Sequence, residues 1–122
     1  RKEIRNWSEW MQNMQDKYDY MSYRRDLAGF GEPREGHWDG WQRINFKTME
    51  GGIFGVFRQG AGEEERKVFL SDLIPDQVYV IREAPSQNEL LKASGQSLME
   101  DGFVVTIEKD YDGRIFEVGL ER

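Results

Sequence analysis

Apolar residues near the start of the chain recur at helical spacing. Ile4, Trp7, Met11, Met14, Tyr18 and Met21 are separated by 3, 4, 3, 4 and 3 positions, with Trp10 on the flank of the stripe they form. At 100° per residue such spacing keeps them within a band of about 120°. Lys2, Arg5, Glu9, Gln12, Asn13, Asp16 and Asp19 fall on the other side. The pattern predicts an amphipathic helix over 1–22 with one buried face. No Ser, Thr, Asp or Asn precedes the pattern as an N-cap, and the chain opens on Arg1-Lys2-Glu3 without Met. The segment therefore reads as the remnant of an upstream domain in a longer chain.

The helical period is lost over 23–40, where Gly29, Gly31, Pro33, Gly36 and Gly40 punctuate a connector. After Gly40 the rhythm turns to short β-type runs at 41–48, 53–59, 66–71, 78–84, 88–93, 103–109 and 114–121. Gly51-Gly52, Gly60-Ala61-Gly62, Pro75-Asp76, Ser94-Gly95 and Asp112-Gly113 separate them with turn chemistry. There is no room for helical crossovers between these runs, so the strands pair antiparallel. The expected fold is mainly β: a helix over 1–22, a connector over 23–40, and an antiparallel two-sheet β-sandwich of seven or eight strands over 41–122. Asp110-Tyr111-Asp112-Gly113 reads as a hairpin. The expected core is Ile44, Phe46, Phe54, Val56, Val68, Leu70, Val78, Val80, Val105, Ile107, Phe116 and Val118, and a shift of one residue would turn any of these strands inside out.

Composition narrows the chemistry. The 122 residues, 38% of them hydrophobic, suffice for one core, and 23 acidic against 17 basic residues give a net charge of −6. That field repels phosphate backbones and anionic bilayers, which argues against nucleic acid and membrane partners. The absence of cysteine removes disulfides, thiolate metal sites and cysteine nucleophiles, and no apolar run reaches the ~20 residues of a membrane helix.

Candidate chemistry is sparse. Glycoside hydrolysis needs two carboxylates at about 5 to 9 Å, yet no pair is singled out: Glu63-Glu64-Glu65 reads as a solvated loop, and Glu83, Glu108 and Glu117 as outward-facing strand residues. His37 is the single histidine, so neither a His-based triad nor a multi-imidazole metal site can be built, although Glu35 and Asp39 lie near it in sequence. Gly51-Gly52-Ile53-Phe54-Gly55 lacks a following helix that would hold a phosphate and reads as a hairpin turn. No cofactor or metal is expected. Trp38 and Trp41 flank Asp39-Gly40, and aromatic rings beside a carboxylate suit sugar binding, because a ring face covers the apolar side of a pyranose while polar groups take its hydroxyls. The competing reading makes Trp41 a core residue and has Trp38 pack the helix against the sandwich.

Two phrases carry a resemblance. Leu73-Ile74-Pro75-Asp76-Gln77-Val78-Tyr79-Val80-Ile81, then Ala93-Ser94-Gly95-Gln96-Ser97-Leu98-Met99-Glu100-Asp101-Gly102-Phe103, resemble in order and spacing the C-terminal β-sandwich of α-galactosidase-like glycoside hydrolases, the clan joining families 27 and 36. The upstream helix, running through Tyr23-Arg24-Arg25-Asp26-Leu27 to Trp38-Asp39-Gly40-Trp41, resembles the last helix of the catalytic barrel entering that sandwich. The resemblance implies a non-catalytic accessory domain of a glycoside hydrolase that stabilises the barrel. The barrel strands that would bear the catalytic aspartates are missing from this sequence, so the chain itself is expected to have no glycosidase activity. The alternatives are a carbohydrate-binding module with Trp38, Asp39 and Trp41 as platform, and a general interaction domain. The implied partners are an upstream barrel of the same chain and carbohydrate. The helix stripe, without barrel neighbours, would pack on the sandwich or pair with a second copy. The compartment stays open, a periplasmic or secreted parent included. In the Leu98-Met99 segment, the two apolar residues are expected to plug one end of the sandwich on a helical turn that Gly102 ends.

Overall fold

The structure, a computed structural model, describes residues 2–30 and 36–121, with side chains from Asn6 onward. Helix α1 (Lys2–Tyr18) is followed by strands β1 (Arg24–Asp26), β2 (His37–Ile44), β3 (Gly51–Gln59), β4 (Glu65–Val68), β5 (Val78–Glu83), β6 (Glu89–Ser94), β7 (Phe103–Thr106) and β8 (Gly113–Leu120). Six strands form one sheet in the order β1-β2-β3-β8-β5-β6, and β4 pairs with β7 in a second. Every pairing is antiparallel. This is the expected helix-led, mainly β sandwich, with a strongly unequal division of strands.

The large sheet buries both faces. Toward β4 and β7 it presents Ile44, Phe54, Val56, Tyr79, Ile81, Phe116 and Val118, which pack with Val68, Leu70, Val105 and Ile107. Its other face carries α1, whose Trp10, Met14 and Tyr18 meet Ile53 and Ala84. A second apolar layer explains why β3 is buried along most of its length and does not alternate. Leu98 is buried on a single π-helical turn, Ser97–Asp101, ended by Gly102, while Met99 packs partly buried against the same core. The expected plug is present.

Several sequence expectations are corrected. The helix stops at Tyr18 because Asp19 takes a left-handed conformation (φ 51°) and the Gln15 side-chain oxygen accepts the N–H groups of Tyr20 and Met21. Met21 therefore leaves the helix and is exposed, and Trp7 and Met11 lie at the margin of the contact; Trp10 is the anchor. Of the expected stripe, Ile4 has its side chain outside the described residues, as do Gly31, Pro33 and Glu35 of the connector. That connector supplies edge strand β1 and the first half of β2. Gly51 and Gly52 lie within β3, not in the turn: Asn45 makes the turn earlier, its Oδ1 accepting the N–H groups of Lys47 and Thr48. Residues 107–112 do not close a hairpin either, since β7 and β8 belong to different sheets.

Of the expected core, Val78 and Phe46 fail. Val78 is 41% exposed because Tyr79 and Ile81 point between the sheets; Val80 is buried as expected, but on the helix side. Tyr79 fixes that phase: its hydroxyl donates to the Met49 carbonyl at 2.6 Å and accepts the Ile74 N–H at 2.8 Å. Phe46, 46% exposed, sits in the β2–β3 turn and stacks edge-on with Tyr23. Glu117 faces the helix and is buried, where Tyr18 donates to it and Lys17 pairs with it at 2.9 Å.

Candidate functional site

Strand alternation divides the three residues expected to bind sugar. Trp38 points between the sheets with no exposed surface, and its indole N–H donates to the Glu63 carbonyl at 3.2 Å. A ring with no free face offers nothing to a pyranose. Asp39 and Trp41, two positions apart, lie on the helix-bearing face. Asp39 is nearly buried; its Oδ2 accepts from the Gln59 amide while Oδ1 has no hydrogen-bond partner. The structural roles imagined for the tryptophans are thus exchanged: Trp38 serves the inter-sheet core, and Trp41 packs beside the helix cluster.

Trp41 is half-buried and lines a groove of about 490 Å³ between the helix end and the β1–β2 edge. Its cross-strand partner is Gly55. A Cβ there would lie 2.9 Å from Trp41 Cζ2, so the missing side chain is what lets the indole lie across the sheet. Met11, Met21 and Ile53 provide the apolar walls, Tyr20 the second aromatic ring, and Arg24 and Arg43 the polar rim. The guanidinium of Arg43 donates to the Met21 carbonyl at 2.5 Å. The Tyr20 hydroxyl contacts the Met11 sulfur at 3.9 Å. Burial pushes the Tyr20 hydroxyl above its ordinary pKa, and the positive charge of Arg43 offsets part of that rise.

Sequence reading found Trp41 but missed the rest of this groove. Arg24 and Arg43 are cross-strand partners, a relationship visible only once β1 is recognised within the connector. Tyr20 and Met21 reach the groove because the helix ends early.

A second groove, about 430 Å³, lies where β5, β6 and β8 emerge from beneath the helix end. Its carboxylates are engaged: Glu117 with Lys17, Glu121 with Lys92 at 2.9 Å, and Glu89 with Lys92 at 3.9 Å. The two bonds to Lys92 hold its ammonium above the ordinary pKa of lysine, the hydrogen bond to Glu121 contributing most. The Glu117 carboxylate, held by an ammonium and a phenol, anchors the helix. Among the described residues no three His, Asp or Glu side chains converge as a metal ion would require.

No protein-family model matches the chain, and no curated protein matches it. Solved structures do. The galactosidase domain of alpha-galactosidase-sucrose kinase superposes on 98% of this chain with a TM-score of 0.64 at 17% identity. The alpha-galactosidase from Lactobacillus brevis superposes on 70% of it with a TM-score of 0.54 at 18% identity. The chain spans 15% and 12% of the lengths of those two proteins. At such identities the likeness is one of fold: nearly the whole of this chain shares it with part of the first structure, and 70% of this chain with part of the second.

Proposed function

We propose that this chain is a non-catalytic, carbohydrate-binding β-sandwich of the accessory type associated with glycoside hydrolases, and that it takes sugar in the groove lined by Trp41. The observation that carries this reading is the half-buried indole laid over Gly55 and rimmed by hydrogen-bond donors. An aromatic wall for the apolar face of a pyranose, with donors at its edge, is the composition that saccharide recognition calls for. Asp39, engaged by the Gln59 amide, and Trp38, in the core, stand outside the groove. The test is calorimetric titration of the chain with galactosides and galactose-based oligosaccharides. Binding that is lost in Trp41→Ala and partly kept in Trp41→Phe supports the reading; the absence of heat with every sugar would overturn it.

One observation favours a second reading, in which the domain packs beside a catalytic barrel in a longer chain. Trp7, Met11 and Met21 leave a strip of partly exposed apolar side chains on the helix and its exit. Met11 and Met21 belong to this strip and to the Trp41 groove, so a barrel docked there would form one wall of the sugar site. Comparing the melting temperature of the chain alone and joined to its upstream sequence tests this reading, a rise being the expected result.

A further inference from the structure

Although the chain carries a net charge of −6, the groove at Trp41 is lined by two arginines and no carboxylate. Arg24 is neutralised in part by Asp26 at 3.0 Å, both side chains being about half exposed. Arg43 is different. Its guanidinium is tied to the neutral carbonyl of Met21, and among the described residues it pairs with no carboxylate. Arg24 and Arg43 occupy paired positions on adjacent strands, and both line the groove.

We infer that the groove selects an acidic saccharide, a uronic acid residue whose pyranose lies against Trp41 and whose carboxylate is received by Arg43 and Arg24. This rests on the reading of the groove as a sugar site and adds the class of sugar. Planar guanidinium groups match a planar carboxylate, and charge-assisted bonds of this kind are about twice as strong as neutral ones. A neutral hexose covering the groove would instead strip water from Arg43 without returning a counter-charge, which costs binding energy. The acidic surface elsewhere repels the same ligand, so the arginine pair gives the groove its preference by local charge alone.

The experiment is titration of the chain with trigalacturonate and, in parallel, with the neutral galactotriose of the same linkage. The expected result is tighter binding of trigalacturonate, weakening as sodium chloride is raised. Arg43→Gln should reduce that affinity by roughly tenfold or more and narrow the gap between the two sugars. Because Arg43 also holds the Met21 carbonyl, Arg43→Lys, which keeps the charge, and the exposed variant Arg24→Gln accompany it; intermediate losses for trigalacturonate, larger than any change for the neutral sugar, are expected. Equal binding of both sugars, insensitive to salt and to these variants, would overturn the charge preference and leave the sugar site standing. If neither sugar binds, the sugar site falls and the preference with it.

Discussion

The indole of Trp41 rests across Gly55, its cross-strand partner, with Cζ2 and Cε2 at 2.9 and 3.0 Å from where a Cβ would stand. An aromatic ring folded over a glycine on the neighbouring strand replaces the missing side chain and keeps the sheet covered. Any added carbon must push the ring outward. Gly55→Ala should cost about 1 to 3 kcal/mol, as overpacking does, and red-shift tryptophan emission as the indole gains solvent. If unfolding and emission are both unchanged, the ring does not depend on this contact.

Asn45 joins the helix to the sandwich. Its amide donates to the carbonyls of Tyr18 and Asp19, both at 3.1 Å, while its oxygen accepts two N–H groups of the β2–β3 turn. The residue is buried, so truncation leaves polar groups without partners or water. Asn45→Ala is expected to destabilise by about 3 kcal/mol in urea titration. Asn45→Asp keeps the acceptor but sets a carboxylate against two carbonyls and should cost at least as much.

Alkaline pH should weaken the fold through two phenols. Burial raises the pKa of Tyr20 and of Tyr79, partly offset by the Arg43 charge in the first case and by the Ile74 N–H in the second. In the unfolded chain both would ionise near 10. The folded state thus holds protons that the unfolded state releases, so this stability is complete below about pH 10 and falls as pH rises through the folded values. Denaturant midpoints measured between about pH 8 and pH 11 should decline, and Tyr79→Phe should flatten part of the decline although it costs stability at neutral pH. A midpoint constant across that window would show that these hydroxyls are not protected.

The architecture was legible in the sequence because β-type runs and turn residues are local signals: each of the seven expected runs overlaps a strand. Facing was harder. Val78, Tyr79, Val80 and Ile81 form an unbroken apolar run with no internal mark of which pair faces the sheet partner, and the choice is made by a phenol reaching the Met49 and Ile74 backbones. Trp38 and Trp41 look equivalent in sequence, but three positions along a strand place them on opposite faces. The groove was least legible. It gathers Met11, Tyr20, Arg24, Trp41 and Arg43 from a helix, its exit, an edge strand hidden among glycines and arginines, and β2.

Trp7 and Trp10 offer the sharpest test of how the helix is held. Their rings meet edge to face at 5.9 Å, and both lie in the same amphipathic segment. Trp10 is only 3% exposed, whereas Trp7 is 37% exposed. A helix of this length is marginal alone in water, so its order depends on the apolar surface it covers on β3 and at Ala84. Trp10→Ala removes the anchor and opens a cavity beside Met14 and Ile53; losses of about 3 to 5 kcal/mol accompany such changes. Trp7→Ala removes a ring at the margin and should cost under about 1 kcal/mol, in the range of surface substitutions. Thermal unfolding with helical and sheet signals followed separately distinguishes the outcomes. A large loss for Trp10→Ala with both signals falling together means that helix and sandwich are one cooperative unit. A helical signal that melts first, with a sheet transition indifferent to Trp10, would mean that the helix rests on the sheet without stabilising it, and the Tyr20 and Met21 walls of the Trp41 groove would then lack a fixed support.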